Sequence, residues 1–327
     1  MPHVVLGSNC FTGSHIVDGL LESGANEVIG VSRSPEYDDM FLPYKRWADG
    51  RFRFHQIDMV RQPEELMNLL DRAKPEVVIN VAALSEVGLS NTSPVEYFDI
   101  NTRAVVRLCN ELRTRSYLRS YVHISSAEIF GTCAAPVDEE TLFAPSTPYA
   151  VSKAAADMYL AVARRHFGFP VTIIRSTNVY GRHQQLFKII PRTVIYLKMN
   201  KPIELHGGGQ SAKSFVHVRD VVRGLQLALK RGAPETYHFT VQSDRTIADV
   251  VRRICERMGY DYEKAVRVVG ERLGQDSRYL LDCEKATRTL GWSAREDFDA
   301  GLDEVIAWIE GNWQDIQHAP LEYRHKV

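Results

Sequence analysis

The sequence lacks long hydrophobic runs and an excess of charge of either sign. No run approaches the ~18 apolar residues that a membrane-spanning helix requires, and 40 lysines and arginines stand against 41 aspartates and glutamates. Binding to nucleic acid or to an anionic membrane surface needs a concentrated excess of positive charge. We therefore expect neither nucleic acid nor a membrane among the partners, whereas a small anionic ligand remains open because one pocket can be basic in a neutral protein.

Neither the cysteines nor the first residues show a pattern that predicts secretion. The five cysteines are far apart and odd in number, and no two have the C-x-x-C spacing of zinc sites and thiol exchange. The first residues, Met-Pro-His-Val-Val-Leu-Gly, have neither the basic region nor the long apolar core of a signal peptide. The sequence therefore predicts a cytoplasmic protein with reduced cysteines.

Two kinds of site are excluded by missing residues. No cluster of histidine, cysteine and carboxylate side chains has metal-ligand spacing, so we expect no metal. The H-G-G-G run that begins at His206 could build an esterase oxyanion hole, but the G-x-S-x-G nucleophile motif is missing from the sequence. We interpret the run as a tight turn.

The first 175 residues alternate short apolar runs with helical patterns. Such alternation predicts an α/β fold with a doubly wound parallel sheet covered by helices on both faces. The predicted strands are 3–6, 27–31, 52–57, 77–82, 121–124 and 171–174, and the predicted helices are 14–23, 63–73, 95–115 and 149–167. After residue 175 short helices and loops predict a smaller C-terminal α/β domain for a substrate at 176–327, with segments around 213–240 returning to the first domain, 1–175.

The turn after the first strand carries glycines where a dinucleotide could bind. Glycines there let the backbone approach a pyrophosphate, and the N-terminus of the next helix offers amide donors. The candidate cofactor-binding residues of this turn are Gly7, Asn9, Cys10, Phe11, Thr12 and Gly13. Cys10 replaces the middle glycine of the usual three-glycine pattern, which predicts a slightly wider turn. A purely steric role for the glycines is the alternative.

The end of the second strand indicates which dinucleotide is bound. NAD enzymes usually have an acidic residue there for the ribose hydroxyls, whereas this chain has Ser32 and Arg33. An arginine accommodates a 2′-phosphate, so the sequence favours NADP, with NAD as the alternative. Asp58 and Met59 follow the third strand, where Asp58 is placed to reach the adenine edge or, alternatively, to cap the next helix.

Tyr149 and Lys153 form the most informative pair. They are spaced i and i+4 at the start of a helix, so their side chains share one face, and Ser126 stands at the end of a preceding strand. We expect the ammonium of Lys153 to lower the pKa of the phenol and make a tyrosinate base accessible. With Ser126 orienting an alcohol, this pattern predicts alcohol oxidation by hydride transfer.

Together these motifs resemble the extended short-chain dehydrogenase/reductases of the nucleotide-sugar epimerase/dehydratase type, over nearly the whole chain. The segments that carry the resemblance are 80–85, Asn101, 125–131, 148–153, 175–181 and 272–276. The resemblance implies a Rossmann-type cofactor domain with further cofactor contacts from Ala82, Ala83, Asn101, Tyr149 and Lys153. It also implies a homodimer, formed through the helices 95–115 and 149–167.

Glu128 favours one reaction within this family. Members oxidise the sugar at C4, and by resemblance to the NDP-sugar 4,6-dehydratases Glu128 removes the C5 proton before water leaves C6 and hydride returns there. We expect this activity, closest to dehydration of GDP-mannose or dTDP-glucose, because C4 epimerases usually have a small or uncharged residue at this position. Ala127 stands where the family has Asp, so the acid for the C6 hydroxyl is open: Glu128 itself, a water, or none. Glu86 stands where relatives often have His.

Three alternatives stay open beside the dehydratase. They are a nucleotide-sugar 4-epimerase, a nucleotide-uronate decarboxylase, whose relatives also have Glu at this position, and a regulator that binds nucleotide without catalysis. Basic side chains in the second half suit a diphosphate. The candidate substrate-binding residues are Ser85, Ser126, Asn178, Lys188, Arg192, Lys213, Arg272 and Asp276.

Overall fold

The structure is a computed structural model that describes residues 2–243, 245–270, 276 and 278–323. In these ranges the strands are β1 His3–Leu6, β2 Val28–Ser32, β3 Phe52–Gln56, β4 Val77–Asn80, β5 Ser120–Ile124, β6 Val171–Ser176, β7 Asn178–Tyr180, β8 Ile203–His206, β9 Ala212–Lys213, β10 Phe215–His217, β11 Thr236–Phe239, β12 Arg245–Thr246 and β13 Val266–Val269.

The helices follow the same order along the chain. They are α1 Phe11–Glu22, α2 Pro63–Ala73, α3 Val87–Ser90, α4 Pro94–Phe98, α5 Ala104–Leu112, α6 Pro148–Phe167, α7 Ile189–Lys198, α8 Val218–Arg231, α9 Ile247–Met258, α10 Tyr262–Ala265, α11 Glu284–Leu290, α12 Phe298–Gly311 and α13 Trp313–Ile316. Short 3-10 helices lie at Asp39–Phe41, Pro43–Arg46, Ala127–Phe130 and Gly207–Gly209.

A seven-stranded parallel sheet forms the centre of the molecule. Its order is β11-β6-β5-β4-β1-β2-β3, and each neighbouring pair is parallel. Both faces are covered, because Val4 of β1 belongs to a core shared with α2, α5 and α6, whereas Val5 belongs to a core shared with α1 and α8. The predicted α/β fold with a doubly wound, Rossmann-type sheet is confirmed.

Two predicted helices differ from the observed ones for local reasons. Helix α1 begins at Phe11 rather than at residue 14, because the Cys10 thiol accepts a hydrogen bond from the Gly13 N–H and caps the helix there. The long helix predicted at 95–115 is divided into α4, a π-helical turn at Asp99–Arg103 and α5. The described residues include no helix that is long and apolar enough to cross a membrane.

The second half of the chain adds a third core and returns once to the sheet. Helices α7, α9 and α12 pack around this core with β8, and three two-stranded sheets join β7 to β10, β9 to β12 and β8 to β13. Strand β11 extends the central sheet beside β6, and α8 packs on α1. The division into two domains at residue 175 stays a prediction.

Candidate active site

Three adjoining clefts open at the carboxyl ends of the central strands. The central cleft contains Ser126, Glu128, Tyr149 and Lys153. The β2 cleft runs past the end of β2 and contains Arg33. The lysine cleft is lined by residues from both halves of the chain, and its lining includes Ser85, Glu86, Glu128, Asn178, Lys188, Arg192, Lys213 and Asp276. Ligands of doubly wound sheets bind at this edge.

The glycine turn has the steric features of a dinucleotide site. Gly7 has φ +87°, and a Cβ there would lie 2.7 Å from the Ala82 nitrogen; a Cβ on Gly13 would lie 2.1 Å from the Gly7 oxygen. The buried Oδ1 of Asn9, in the β2 cleft, and the buried Oγ of Ser125, in the central cleft, have no hydrogen-bond partner in the part of the chain that the structure describes. Orphaned buried polar atoms indicate a missing partner, so the residues present fit a bound dinucleotide.

Cys10, Phe11 and Thr12 bring the start of α1 to the wall of the central cleft. The Cys10 N–H donates to the Gly7 carbonyl (3.0 Å), which keeps the turn closed. Burial raises the pKa of the Cys10 thiol to about 11, so the thiol stays protonated and serves as a helix cap. The residue that replaces the usual middle glycine therefore holds the turn through its N–H and caps α1 through its thiol, and the wider turn stays a prediction.

The β2 cleft contains most of the other predicted cofactor residues. Ser32 Oγ accepts a hydrogen bond from the Asn9 N–H (3.1 Å), which ties the glycine turn to the end of β2. Asp58 Oδ1 accepts from the N–H groups of Val60 and Arg61, so this carboxylate caps the turn after β3 while lining the cleft. The cleft is also lined by Gly7, Arg33, Met59, Ala82 and Ala83.

Asn101 lies behind these walls rather than in a cleft. Its amide oxygen accepts from the Leu84 N–H (2.9 Å), and its amide nitrogen donates to the Leu84 carbonyl and to Ser152 Oγ, both at 3.0 Å. The side chain is completely buried. Asn101 thus holds the segment next to Ala82 and Ala83 in place, and the structure does not bring it to the cofactor position predicted for it.

Ser126 links the other predicted catalytic groups. Its Oγ accepts from the Glu128 N–H (3.2 Å) as the cap of the 3-10 turn after β5, and its hydroxyl also forms a hydrogen bond with Tyr149. Tyr149 comes from the first turn of α6, which begins at Pro148 with the Thr147 hydroxyl as its cap. Strand β5 and helix α6 therefore bring the three side chains together.

The structure corrects the expected ionisation of Tyr149. Burial raises the pKa of the phenol well above its ordinary value, the charge on Glu128 raises it further, and the hydrogen bond with Ser126 opposes both. Lys153 donates from Nζ to the Ile124 carbonyl (2.8 Å), and its pKa is lowered to about 8 by burial. In the chain by itself the Tyr149 pKa is raised and not lowered as predicted, because burial, which disfavours the charged form of both groups, outweighs any stabilisation of the tyrosinate by Lys153.

Glu128 is poised to exchange a proton near neutral pH. Burial raises the pKa of its carboxyl to about 7, while the nearby positive charges of Lys213 and Lys188 oppose the shift and the negative charges of Asp276 and Glu86 add to it. Glu128 lines both the central and the lysine cleft. A carboxyl group with this pKa can act as a general base and as a general acid.

The lysine cleft holds the predicted substrate residues. Lys213 Nζ donates to the Asp276 carbonyl (2.7 Å) and lies 4.0 Å from the centre of the Tyr279 ring. The Asp276 carboxylate accepts from two hydroxyl groups, those of Thr132 and Ser146, so its charge is directed at these hydroxyls, and Lys213 contacts the Asp276 backbone instead. Arg272 lies outside the described residues.

Aromatic side chains that the sequence reasoning missed also line these clefts. Tyr279 lies between the central and lysine clefts and donates from its hydroxyl to Asn178 Oδ1 (2.8 Å). Phe187 and Tyr323 lie between the β2 and lysine clefts and pack edge to face, with their ring centres 5.2 Å apart. Tyr279 is three residues from Asp276, so the segment already singled out could have revealed it, whereas no pattern near Tyr323 indicated a role.

The sheet order, the glycine turn and the Ser126, Tyr149 and Lys153 group define a dinucleotide-dependent enzyme of the extended short-chain dehydrogenase/reductase class. The chain belongs to the family described as GDP-mannose 4,6 dehydratase, whose model matches residues 4–305.

Similar proteins agree with this assignment. A dTDP-glucose 4,6-dehydratase from Escherichia coli is 26% identical, with 97% of this chain and 96% of that protein covered. The crystal structure of DesIV, a dTDP-glucose 4,6-dehydratase from Streptomyces venezuelae with NAD bound, has a TM-score of 0.88 and 29% identity over 96% of this chain and 98% of that one. A UDP-glucuronic acid 4-epimerase from Bacillus cereus shares the fold at a TM-score of 0.86 and 23% identity, covering 95% and 99% of the two chains.

Proposed function

We propose that this protein is an NDP-hexose 4,6-dehydratase that converts its substrate to an NDP-4-keto-6-deoxy sugar. The observation that carries the proposal is Glu128, whose carboxyl group, with a pKa near 7, lies in the same cleft as Tyr149, Ser126 and Lys153. The family and the dehydratases among its relatives support the same activity.

Each catalytic side chain has a defined task in this proposal. When bound, a nicotinamide dinucleotide supplies the hydride acceptor for C4 and the hydride donor for C6. Ser126 orients the C4 hydroxyl, Tyr149 takes its proton as the C4–H bond breaks, and the buried ammonium of Lys153 stabilises the tyrosinate. The product of this step is a 4-ketone, which makes the C5 proton acidic.

Glu128 then acts twice. Its carboxylate takes the C5 proton, and the resulting carboxylic acid returns that proton to the C6 hydroxyl as the C6–O bond breaks and water leaves. When hydride returns to C6, C5 takes a proton from solvent, which balances the C4 hydroxyl proton that Tyr149 releases to solvent. Ala127 cannot supply this proton because its side chain is a methyl group buried in an apolar cluster. A pKa near 7 suits a group that must be both base and acid at neutral pH, so we propose that Glu128 serves alone.

A product assay separates this function from its rivals. Purified protein is incubated with a panel of NDP-hexoses and NDP-uronic acids, and the products are identified by NMR. We expect a 6-deoxy-4-ketone from one NDP-hexose. A 4-epimer as the only product would identify an epimerase, carbon dioxide from an NDP-uronic acid would identify a decarboxylase, and no turnover of a substrate that binds would identify a regulator.

The proposed cofactor is NADP, on the basis of Arg33. This side chain lines the β2 cleft at the end of β2, where a guanidinium can pair with a 2′-phosphate. The solved relatives with NAD bound make NAD the competing choice.

Replacing Arg33 by alanine is expected to weaken NADP binding about tenfold and to leave NAD binding nearly unchanged, because a lost charge-assisted hydrogen bond has about this effect. Fluorescence titration of cofactor-free protein with each dinucleotide measures both affinities. Arg61→Ala is the matched control, since Arg61 is exposed near Asp58 and does not line the cleft. Tighter binding of NAD than of NADP by the unmodified protein would refute the NADP proposal.

The proposed partner is a second copy of the chain. Helices α4 and α6 pack together and leave apolar side chains exposed on their outer side. The exposed fractions are 71% for Val95, 38% for Phe98, 39% for Val151, 61% for Met158 and 47% for Val162. Val151, Met158 and Val162 are spaced by seven and four residues, so they lie on one face of α6. Such a face is typical of an interface.

Met158→Glu is expected to convert a dimer into a monomer of 37.1 kDa, because a charge would be buried at the interface. Sedimentation velocity measures the mass. Leu142→Glu is the control, because Leu142 is 88% exposed in a loop outside both helices and its replacement should leave the dimer intact. A dimer that survives Met158→Glu places the interface elsewhere.

A further inference from the structure

Lys153 is held from behind by β5. Its side chain is only 2% exposed, and its ammonium, besides donating to the Ile124 carbonyl, lies 3.3 Å from Nε2 of His123, the residue before Ile124 in β5. Ile124 lines the central cleft, whereas His123 lines none of the three clefts and contacts the ammonium from behind. The position of the ammonium in the cleft is therefore set by this pair of acceptors.

His123 must accept the hydrogen bond from Lys153. The ring is 1% exposed, and its pKa lies well below the ordinary value because of burial and the charge on Lys153. A neutral imidazole has one acceptor nitrogen, and an ammonium can only donate. The proton of His123 therefore resides on Nδ1, which has no hydrogen-bond partner in the described part of the chain, and Nε2 faces Lys153 as the acceptor.

Asp157 provides the negative charge of this buried cluster. It follows Lys153 by four residues in α6, so the two side chains share one helix face. Its Oδ1 lies 3.9 Å from His123 Nε2 and has no hydrogen-bond partner among the described residues. The charge on Asp157 raises the pKa of Lys153 against the opposing effect of burial.

Arg175 of β6 fixes Asp157 from the opposite side. Its Nε donates to Asp157 Oδ2 (2.9 Å), and its Nη1 donates to the Glu139 carbonyl (3.2 Å) and lies 3.4 Å from Nε2 of His238 in β11. Burial and the charge on Arg175 lower the pKa of His238 to about 3, so this ring is neutral. The guanidinium also lies against the rings of Phe130 and Phe143. Asp157 is thus the negative group beside Lys153, and its geometry is fixed by β6.

We propose that His123 and Asp157 are positioning residues for the catalytic pair: His123 fixes the place of the Lys153 ammonium in the cleft that Tyr149 also lines, and Asp157 keeps that ammonium charged inside the buried site. The expected effect of these residues on turnover rests on the proposed function. Their expected effect on the position and pKa of the Lys153 ammonium does not depend on any substrate. Neither residue touches the reacting atoms, and both act through Lys153.

The first test observes Lys153 directly. Protein labelled with 15N-lysine gives 1H–15N signals from the Nζ groups, and Lys153→Arg identifies the signal of Lys153. We expect its titration midpoint near pH 8 in the unmodified protein and at least about one pH unit lower in Asp157→Asn, since a nearby opposite charge shifts a pKa by this amount. Asn retains an oxygen that accepts from Arg175, which favours folding of the variant.

Glu139→Gln is the matched control for this titration. Glu139 is another carboxylate of the same region, but its Oε1 accepts from the His238 N–H (3.0 Å) and it makes no contact with Lys153. We expect the Lys153 midpoint to stay unchanged in Glu139→Gln. An unchanged midpoint in Asp157→Asn, or an equal shift in both variants, overturns the role of Asp157.

The second test separates positioning from packing at His123. His123→Leu removes the acceptor and is expected to lower kcat about tenfold with a much smaller change in KM, since the lost hydrogen bond is to a charged group. His123→Gln restores an acceptor and should recover most of the loss. Equal activity of the leucine and glutamine variants overturns the role of His123. If the protein turns over no NDP-hexose at all, the proposed function fails, while the Lys153 titration still decides the role of Asp157.

Discussion

Glu128→Gln is expected to lower the rate of 4,6-dehydration about 10³-fold, within the range that a single general acid–base group contributes. The first half of the reaction should survive, because Tyr149, Ser126 and Lys153 remain in the central cleft. Adding the substrate to the variant should therefore still reduce the bound dinucleotide, as seen by its near-ultraviolet absorbance, while the 6-deoxy product forms more slowly by this factor. Glutamine has nearly the shape of glutamate but can take up no proton.

Glu86→Gln is the control for this variant. Glu86 also lines the lysine cleft and pairs with Lys188 (3.4 Å), and its charge adds to the shift of the Glu128 pKa. If Glu128 acts only as a negative charge, the two variants should lose similar activity. We expect Glu86→Gln to change KM more than kcat. Full dehydration by Glu128→Gln would show that another group removes the C5 proton.

The pH dependence of the same variant has a defined sign. Because burial raises the Glu128 pKa to about 7, base-dependent turnover in the unmodified enzyme should rise as the pH increases through about 7. This rise should disappear in Glu128→Gln.

The contribution of Glu128 to the stability of the folded protein has the opposite trend. It is fully present below the unfolded pKa of about 4.5 and is lost as the pH rises through about 7, since the folded state binds more protons in that interval. Thermal melting of the two proteins between pH 5 and 8 measures the difference.

Tyr149→Phe is expected to stop the reaction one step earlier, with a loss of about 10³-fold in turnover. Without the phenol oxygen the side chain that takes the proton from the C4 hydroxyl is lost, so reduction of the bound dinucleotide and product formation should both slow by this factor when the substrate is added. Substrate affinity should change little, because the lysine cleft is intact. Rapid absorbance measurements on substrate mixing distinguish this variant from Glu128→Gln.

Tyr97→Phe provides the comparison for Tyr149→Phe. Tyr97 is buried beside Tyr149, with ring centres 6.3 Å apart, but its hydroxyl donates to the Glu86 carbonyl and does not line the central cleft. We expect this variant to lose stability rather than hydride transfer. Normal dinucleotide reduction by Tyr149→Phe would mean that another group is the base for C4 oxidation.

The parts of the fold that were predicted from the sequence are those set by local patterns, and the tertiary structure keeps these local elements. Strand β1, the glycine turn and α1 follow one another as the apolar run and the glycines predict, because Gly7 adopts a positive φ and Gly13 packs on the Gly7 carbonyl. The spacing of Tyr149 and Lys153 likewise needs only the geometry of one helix. The start of α1 was missed by three residues, because a thiol cap at Cys10 is a rare signal.

The site was less predictable wherever partners come from distant strands. Asn101 belongs to a family segment, yet its amide is used by Leu84 and Ser152. Arg33 and Tyr323 are 290 positions apart in the chain, and both line the β2 cleft. No local pattern reports such contacts, since they depend on which strands become neighbours and on how the C-terminal segment packs.

The sequence alone determined which chemical groups are available: the glycine turn, the Tyr149 and Lys153 spacing and the carboxylate of Glu128. The tertiary structure decided their ionisation, because a pKa depends on burial and on charges that other strands bring near. Burial raises the pKa values of Tyr149 and Glu128 and lowers that of Lys153. The same reason explains why the near-neutral composition did not reveal a carboxylate that exchanges its proton near pH 7.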